Sequence, residues 1–268
     1  MKRHTGTARG FRRHLFAAAL LSVTVGMTAC GTVEKATDKA TQLTAKETLL
    51  DAVPDGSEGP FRFSGNDGTT DLTGSVDPAA KGIHLETSMK DQDLGFTTDM
   101  SFLVIGEQPW VKISFKDTKG VSGLPKLPAK WLRIDPSRVA DKADLPTFDG
   151  VDQGNTGPLI QAATTVEDQG NGKYAGTIDL TSGEAAKVLE AEQMTALGEA
   201  AKQVPFTATV GPDKHLASLT MEVPAAGTAK AFTYSVNYAD YGKAEKLAAP
   251  EPAAAQDAPP VVYEMLYS

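Results

Sequence analysis

Cysteine is almost absent from this chain, since its 268 residues contain a single one, Cys30. One cysteine cannot form an internal disulfide, so packing and hydrogen bonding must stabilise the fold. Histidine is scarce as well, because only His84 and His215 lie beyond residue 29. These two shortages leave little material for a thiol nucleophile, a zinc site or a histidine-based catalytic triad.

The first 29 residues lack acidic side chains and also lack a hydrophobic run long enough to span a bilayer. Five basic residues occur within positions 2–13, and the apolar stretch 15–27 and the small residues Thr28 and Ala29 follow. This order is typical of a secretory signal peptide. We therefore predict that residues 1–29 direct export. The Arg12-Arg13 pair leaves the twin-arginine route open beside the general one.

Cys30 is the predicted lipidation site. Small residues precede it and Gly31 follows it, and this arrangement resembles the lipobox of bacterial lipoproteins, although Met27 stands where that motif usually has leucine. The resemblance implies a lipidated N-terminus that holds the protein on the outer face of the cytoplasmic membrane, with residues 30–40 as a tether. An ordinary signal peptide with a chance cysteine is the alternative.

Positive charge is in short supply in the exported part. Residues 1–29 hold five of the 26 basic residues and none of the 34 acidic ones, so the remaining 239 residues carry 21 basic and 34 acidic side chains, a net charge of −13. A chain of this charge repels nucleic acid and anionic headgroups. We predict no nucleic-acid partner, and membrane contact only through the lipidated N-terminus or apolar surface.

Motifs for catalysis and metal binding are also missing. The chain has no nucleophile elbow, phosphate-binding loop or dinucleotide fingerprint. Its acidic clusters, 91–93 and 141–144, lack the glycine and ligand spacing of a calcium loop, so turn and surface roles explain them better. We predict that the protein is not an enzyme and has no catalytic residue, metal or cofactor. A hydrolase remains an alternative only if His84 or His215 is buried beside a serine and a carboxylate.

Alternating apolar and polar residues dominate the first half of the chain beyond a helix that we predict from about Thr41 to Pro54. Five successive segments alternate, over 61–63, 72–76, 83–89, 96–104 and 111–115, with turn residues between them. Such a pattern predicts an antiparallel meander with one buried face.

The second half mixes helix and strand signals. We predict a loop over 116–128, a strand at 131–134, a short helix near 159–163, a strand over 174–180 and an amphipathic helix over 183–203 whose capping box joins Thr181 and Glu184. Strands at 206–210, 217–223 and 232–238 follow. The Pro- and Ala-rich segment 250–268 is predicted to be a mobile tail, although 261–267 are apolar enough to dock.

This order of elements predicts an α+β domain over 41–249, in which a curved antiparallel half-barrel sheet covers helices on its concave face. The space between sheet and helices can be a closed core or an apolar cavity, and the residues alone leave both open. Candidate lining residues of a cavity are Phe96, Met100, Phe102, Val111, Ile113, Phe115, Val188, Leu189, Leu219, Met221 and Phe232.

Three short motifs resemble the LppX/LprA/LprF/LprG family of envelope lipoproteins, whose fold is related to that of the lipoprotein carrier LolA. They are the strand end at 130–136 with Trp131, Asp135 and Pro136, the hairpin turn at 210–216, and the closing strand at 237–243 with Asp240-Tyr241-Gly242. The resemblance covers about residues 41–250. It implies a pocket that holds acylated lipids and moves them through the cell envelope.

The sequence therefore predicts a membrane-anchored monomer that binds the acyl chains of a lipid or lipoprotein in an apolar cavity and carries it within the envelope. The alternative is an interaction or assembly module with a closed core, whose partner is another envelope protein.

Overall fold

The computed structural model describes residues 30–227 and 230–267. The chain divides into two compact units, Met1–Thr37 and Asp38–Ser268. The predicted signal peptide, 1–29, lies outside the described residues. The helices are α1 (Cys30–Asp51), α2 (Thr156–Gln161), α3 (Ala191–Leu197) and α4 (Pro260–Tyr267). The backbone of the predicted tether, 30–40, therefore lies within α1.

The described residues also form twelve strands. They are β1 (Phe61–Asn66), β2 (Asp71–Asp77), β3 (Gly82–Lys90), β4 (Thr97–Ile105), β5 (Gln108–Lys116), β6 (Trp131–Arg133), β7 (Ala163–Gly170), β8 (Lys173–Ile178), β9 (Val204–Val210), β10 (Leu216–Val223), β11 (Phe232–Ala239) and β12 (Ala255–Asp257). The five strands of the predicted meander are confirmed.

All twelve strands belong to one curved sheet in the order β12-β6-β5-β4-β3-β2-β1-β11-β10-β9-β8-β7. Every neighbouring pair is antiparallel except β12 and β6. Strands β1–β6 form one side of the sheet, with β12 at its edge, and β7–β11 form the other side, and pairing of β1 with β11 joins them. The predicted α+β class with a large, mostly antiparallel sheet is therefore confirmed.

The pairing registers separate two faces of the sheet, because directly opposed residues share a face. Phe61 opposes Val76, Val76 opposes Ile83, and Ile83 opposes Val104. We call the face that carries these buried side chains the inner face and the opposite one the outer face. Gly74 is needed on the inner face, since a Cβ there would come within 2.8 Å of the Phe63 ring.

Buried apolar side chains form two hydrophobic clusters. The larger cluster combines strands β1–β4 and β7–β11 with helices α1 and α2 and the segment 180–201, and its fully buried members include Leu49, Phe61, Leu159, Leu219 and Met221. The smaller cluster combines β5 and β6 with residues 134, 139 and α4, through Val111, Ile113, Leu132 and Val262. Inward residues of β1–β4 and β7–β11 thus supply the larger cluster, and those of β5 and β6 supply the smaller one.

Polar contacts fix the helices of the larger cluster. The Lys46 ammonium of α1 donates to the carbonyls of Gln161 (2.7 Å) and Ala163 (3.0 Å), at the end of α2 where carbonyls lack helical partners. At the other end of α2, the Asp152 carboxylate accepts from the Thr156 hydroxyl and the Tyr238 hydroxyl, both at 2.7 Å. Burial raises the pKa of the Tyr238 phenol, which therefore stays protonated as a donor.

Two elements differ from the predictions between residues 163 and 203. The segment predicted as one amphipathic helix over 183–203 is broken into a 3₁₀ turn (Gly183–Lys187), α3 and a second 3₁₀ turn (Gly198–Gln203). Gly198 ends α3 with φ +52°, a conformation that favours glycine. At its start, Glu190 N–H donates to the Gln193 side chain at 3.0 Å, a contact that the Thr181 capping-box prediction missed. The polar edge strand β7 had no alternating signal and was also missed.

The C-terminal segment predicted to be a mobile tail forms β12 and α4. Arg133 holds the start of this segment through its Nε, which donates to Asp257 Oδ1 at 2.8 Å. Tyr263 is buried in the smaller cluster, where its hydroxyl accepts from Asp135 N–H at 2.9 Å and its ring lies 3.9 Å from the Arg138 guanidinium. The prediction of a mobile tail is therefore wrong for this segment, because its apolar residues at 261–267 pack in spite of its Pro and Ala content.

Candidate functional site

The residues predicted to line one cavity are divided between the two clusters. Val111 and Ile113 are buried in the smaller cluster, against which Met100, Phe102 and Phe115 pack. Leu189, Leu219 and Met221 are buried in the larger cluster, against which Val188 and Phe232 pack. Phe96 contacts Phe115 edge to face, with ring centroids 6.1 Å apart. The structure thus does not bring the eleven side chains together around one space.

A small gap lies on the inner face beside the larger cluster. Its volume is about 50 Å³, and its wall includes Phe63, Leu72, Tyr234 and Val236. Ligand pockets for drug-sized molecules measure about 300–1,000 Å³, so this gap is too small to enclose an acyl chain.

Apolar side chains of β3–β5 remain only partly covered although they point to the inner face. Leu85 opposes Phe102, Met100 opposes Ile113, and Met89 and Phe115 both oppose Thr98. Leu85, Met100, Phe102 and Phe115 are half-buried, and Met89 is 45% exposed. We call these five residues the inner apolar strip. Leu94, 60% exposed, lies on the hairpin between β3 and β4 and extends the apolar surface.

A groove of about 850 Å³ lies on the outer face, opposite the predicted cavity. The segment 244–248 runs along it, and the lining is completed by Arg62, Phe63, Ser64, Thr73, Gly74, Ser75, His84, Glu86, Leu103, Trp131, Asn237 and Ala239. We call it the outer groove and 244–248 the strap. Asp77, buried, accepts from Leu247 N–H at 3.0 Å and so anchors the strap.

Trp131 and His84 form the aromatic end of the outer groove. Their ring centroids are 5.9 Å apart in an edge-to-face arrangement, and the Lys112 ammonium lies 4.8 Å from the centre of the Trp131 ring. Burial lowers the pKa of His84, and the nearby Lys112 ammonium lowers it further, whereas the Glu86 carboxylate acts in the opposite direction. His84 is therefore neutral at pH 7, with one nitrogen as a donor and the other as an acceptor.

The outer groove contains the residue types that the hydrolase alternative requires. Ser75 opposes His84 across β2 and β3, and Glu86 follows on the same face. Within the described part of the chain, no hydrogen bond joins His84 to Ser75 or Glu86, whereas a serine nucleophile is activated by a hydrogen bond to its base. Strands β2 and β3 are paired on both sides, which commits the backbone N–H groups that an oxyanion hole would need.

The remaining candidate positions have local roles. His215 stacks on Tyr241 with centroids 4.6 Å apart. The Asp91 carboxylate accepts from the N–H groups of Asp93 and Leu94, which is turn chemistry. Across residues 30–227 and 230–267, no group of three or more His, Cys, Asp or Glu side chains is arranged to hold a metal ion. For Cys30 the structure describes only the backbone, at the first residue of α1.

Sequence reasoning missed the outer groove because outward-facing polar residues look like any solvated strand face. Only Trp131, an aromatic residue on a short strand, offered a signal. The strap comes from a segment more than 100 residues away from His84 in the chain.

Comparison with known proteins adds no relative. No protein-family model matches this chain, and no curated protein is significantly similar to it in sequence. Among the described helices, none is both long and apolar enough to cross a bilayer. The resemblance to the LppX/LprA/LprF/LprG lipoproteins therefore rests on the three sequence motifs.

Proposed function

We propose that this protein is a lipid-anchored envelope protein that binds the acyl chains of a lipid or lipoprotein and carries it within the envelope. In this proposal Cys30 is lipidated and holds the domain on the outer face of the cytoplasmic membrane. The protein acts as a monomer of the LppX/LprA/LprF/LprG type, and the inner face of the sheet is the concave face that covers the helices. No covalent chemistry on the ligand is involved.

The inner apolar strip is the observation that carries this proposal. Its five side chains point to the same face as the hydrophobic clusters, yet each keeps part of its surface in water. Covering exposed apolar area gains about 25 cal/mol per Å², so an acyl chain laid along the strip would be stabilised by burial alone. Two of the five are methionines, whose flexible thioethers adapt to chains of different shape.

The net charge of the protein supports the same proposal. The exported part carries a net charge of −13, which disfavours adhesion to anionic headgroups, so a lipid would be held by its chains. The lipidated N-terminus would supply the membrane attachment that the acidic surface opposes.

Native mass spectrometry of protein purified without residues 1–29 tests the proposal. We expect lipid adducts that exchange with added lipid, and we expect Met89→Asp to reduce the bound fraction because a carboxylate interrupts the strip. Leu43→Asp is the matched control, since Leu43 on α1 is similarly exposed, at 53%, and belongs to neither cluster. A preparation that never carries or exchanges lipid would contradict the proposal.

A second candidate function is an interaction module with a closed core, whose partner is another envelope protein. The observation that favours it is the 50 Å³ gap, which is too small for an enclosed acyl site. Absence of lipid adducts, together with unchanged behaviour of Met89→Asp, would favour this candidate over lipid carriage.

A further inference from the structure

We propose that the outer groove is a binding site for a short, neutral oligosaccharide. Its volume of about 850 Å³ falls within the range of small-molecule sites. The site lies on the face opposite the inner apolar strip, so it is separate from the proposed acyl site and does not depend on it.

Free hydroxyl and amide groups line the floor of the outer groove. They belong to Ser64, Thr73, Ser75 and Asn237, which come from three adjacent strands. Within the described ranges, none of these four side chains forms a hydrogen bond to another protein group, so their donors and acceptors are available to a ligand. A polyhydroxylated ligand both donates and accepts, and therefore matches this set.

The charges around the groove cancel. Arg62, Lys246 and Lys112, which lies over the Trp131 ring, are positive, whereas Glu86 and Glu245 are negative. Arg62 already pairs with Asp240 at 3.4 Å. The two other cations, Lys112 and Lys246, are matched in number by the carboxylates of Glu86 and Glu245, so the groove has no net positive charge to attract an anionic ligand and a neutral ligand is favoured.

Trp131 supplies an apolar surface at one end of this polar groove. Sugar rings have faces of C–H groups that pack on aromatic rings, while their hydroxyls point to the sides. Trp131 borders the groove beside His84, whose neutral imidazole can donate to or accept from a sugar hydroxyl. A purely apolar ligand would leave the hydroxyls of the floor without partners, which costs binding energy.

The shape of the site fits a short linear ligand. Strands β3, β2, β1 and β11 form the floor, and because neighbouring strands lie about 4.8 Å apart, the floor is about 14 Å long. The strap forms one wall, and Leu247 approaches closely because residue 82 is glycine, where a Cβ would lie 3.3 Å from Leu247 Cβ. A peptide could not extend the sheet here, since these strands are paired on both sides.

Direct binding measurements test the proposal. The full chain, purified in a zwitterionic detergent without sugar headgroups, is screened against neutral gluco-, manno- and galacto-oligosaccharides from di- to pentasaccharides. Tryptophan fluorescence reports binding, because the chain has only Trp110, which is buried, and Trp131. We expect saturable binding in the millimolar range or tighter to at least one of these sugars.

Two variants localise the binding. We expect Trp131→Ala to weaken it by at least about tenfold, measured by calorimetry, and Thr73→Val, which removes one hydroxyl without changing the shape, by about two- to tenfold. Thr207→Val is the matched control, since Thr207 is also exposed on the outer face but lies outside the groove. Thr73→Val keeps the test decisive if Trp131→Ala is unstable.

Three results would overturn the proposal: no binding of any neutral oligosaccharide at millimolar concentration, binding that neither groove variant weakens, or groove-dependent binding only of oligogalacturonate or of a peptide. Met89→Asp on the inner face should leave sugar binding unchanged. Sugar binding and lipid binding can therefore fail independently.

Discussion

The two hydrophobic clusters differ in how much of the chain each one needs. The larger cluster draws on nine strands, two helices and the segment 180–201, and hydrogen bonds such as Leu216 N–H to the Ala52 carbonyl (2.7 Å) hold its helices in place. The smaller cluster depends on one eight-residue helix, α4, which is attached through the short parallel strand β12. Many elements therefore hold the larger cluster together, whereas a single helix covers the smaller one.

The difference has a physical cause in how each strand is paired. Strands β9–β11 of the larger cluster are hydrogen-bonded to a neighbouring strand on both sides. By contrast, β12 is a three-residue edge strand that pairs only with β6, so few hydrogen bonds attach it. Local opening free energies should therefore be lower at α4 than at β9–β11.

The largest expected effect comes from a cavity in the larger cluster. Leu219 and Leu132 are both fully buried, one in each cluster. We expect Leu219→Ala to lower the free energy of unfolding by about 3–5 kcal/mol, and Leu132→Ala by about 2–3 kcal/mol, because α4 can settle into the space whereas the larger cluster cannot.

Urea denaturation of the unsubstituted protein and the two variants measures these values. Leu43→Ala, at an exposed position, is the control and should change stability by less than about 0.5 kcal/mol. Equal losses of stability in Leu219→Ala and Leu132→Ala would contradict the prediction, because they would show that α4 does not settle into the space left at Leu132.

An intermediate loss of stability is expected at alkaline pH, where a buried tyrosine of the larger cluster titrates. Burial raises the pKa of Tyr234 to about 12, whereas an unfolded tyrosine titrates near 10. Because the unfolded state loses this proton first, stability is unaffected below pH 10 and falls as pH rises from 10 to 12, by about 2–3 kcal/mol for two pKa units.

Tyr234→Phe isolates this contribution. At pH 7 the variant should be less stable by about 1 kcal/mol, because it loses the hydrogen bond from Tyr234 to the Gly154 carbonyl (2.9 Å). At pH 12 the difference should vanish or change sign, as measured by thermal melts of both proteins across this range. A constant difference at all pH values would contradict the raised pKa.

The smallest expected effect is local. Val262 of α4 is fully buried in the smaller cluster, and Val262→Ala should cost about 1–2 kcal/mol, consistent with about 0.8 kcal/mol per buried CH₂ plus a small cavity. We expect hydrogen exchange of the α4 and β12 amides to accelerate while amides of β9–β11 stay unchanged. If the β10 amides accelerate to the same extent, the two clusters unfold as one unit.

Most strands were predictable because alternation is a local property. The period of two over 72–76, 83–89 and 111–115 predicts strands and their buried faces, and the structure confirms them as parts of β2, β3 and β5. Strand β7 was not predicted, because an edge strand with polar residues such as Thr164 and Glu167 buries few side chains and so shows no alternation. The helix over 183–203 was predicted too long because apolar spacing outweighed the glycines at 183 and 198 that interrupt it.

The candidate sites were less predictable than the strands. Alternation indicated that Phe102, Ile113 and Leu219 point to one face, and the registers confirm it, but alternation carries no information on which helix covers which part of that face. The eleven side chains expected around one cavity consequently belong to two separate surroundings. The outer groove needs both β1–β3 and the strap, and no local pattern joins them.

The sequence by itself determined the scarcity of reactive side chains, the acidic charge beyond residue 29, the position of Cys30 and the buried face of each main strand, because all of these depend on residue type and spacing within a few positions. Only the tertiary structure decided that α4 covers Val111 and Ile113 and that the strap borders a groove beside His84 and Trp131. Contacts between distant segments depend on the summed packing of the whole chain, and no short stretch of sequence encodes that sum.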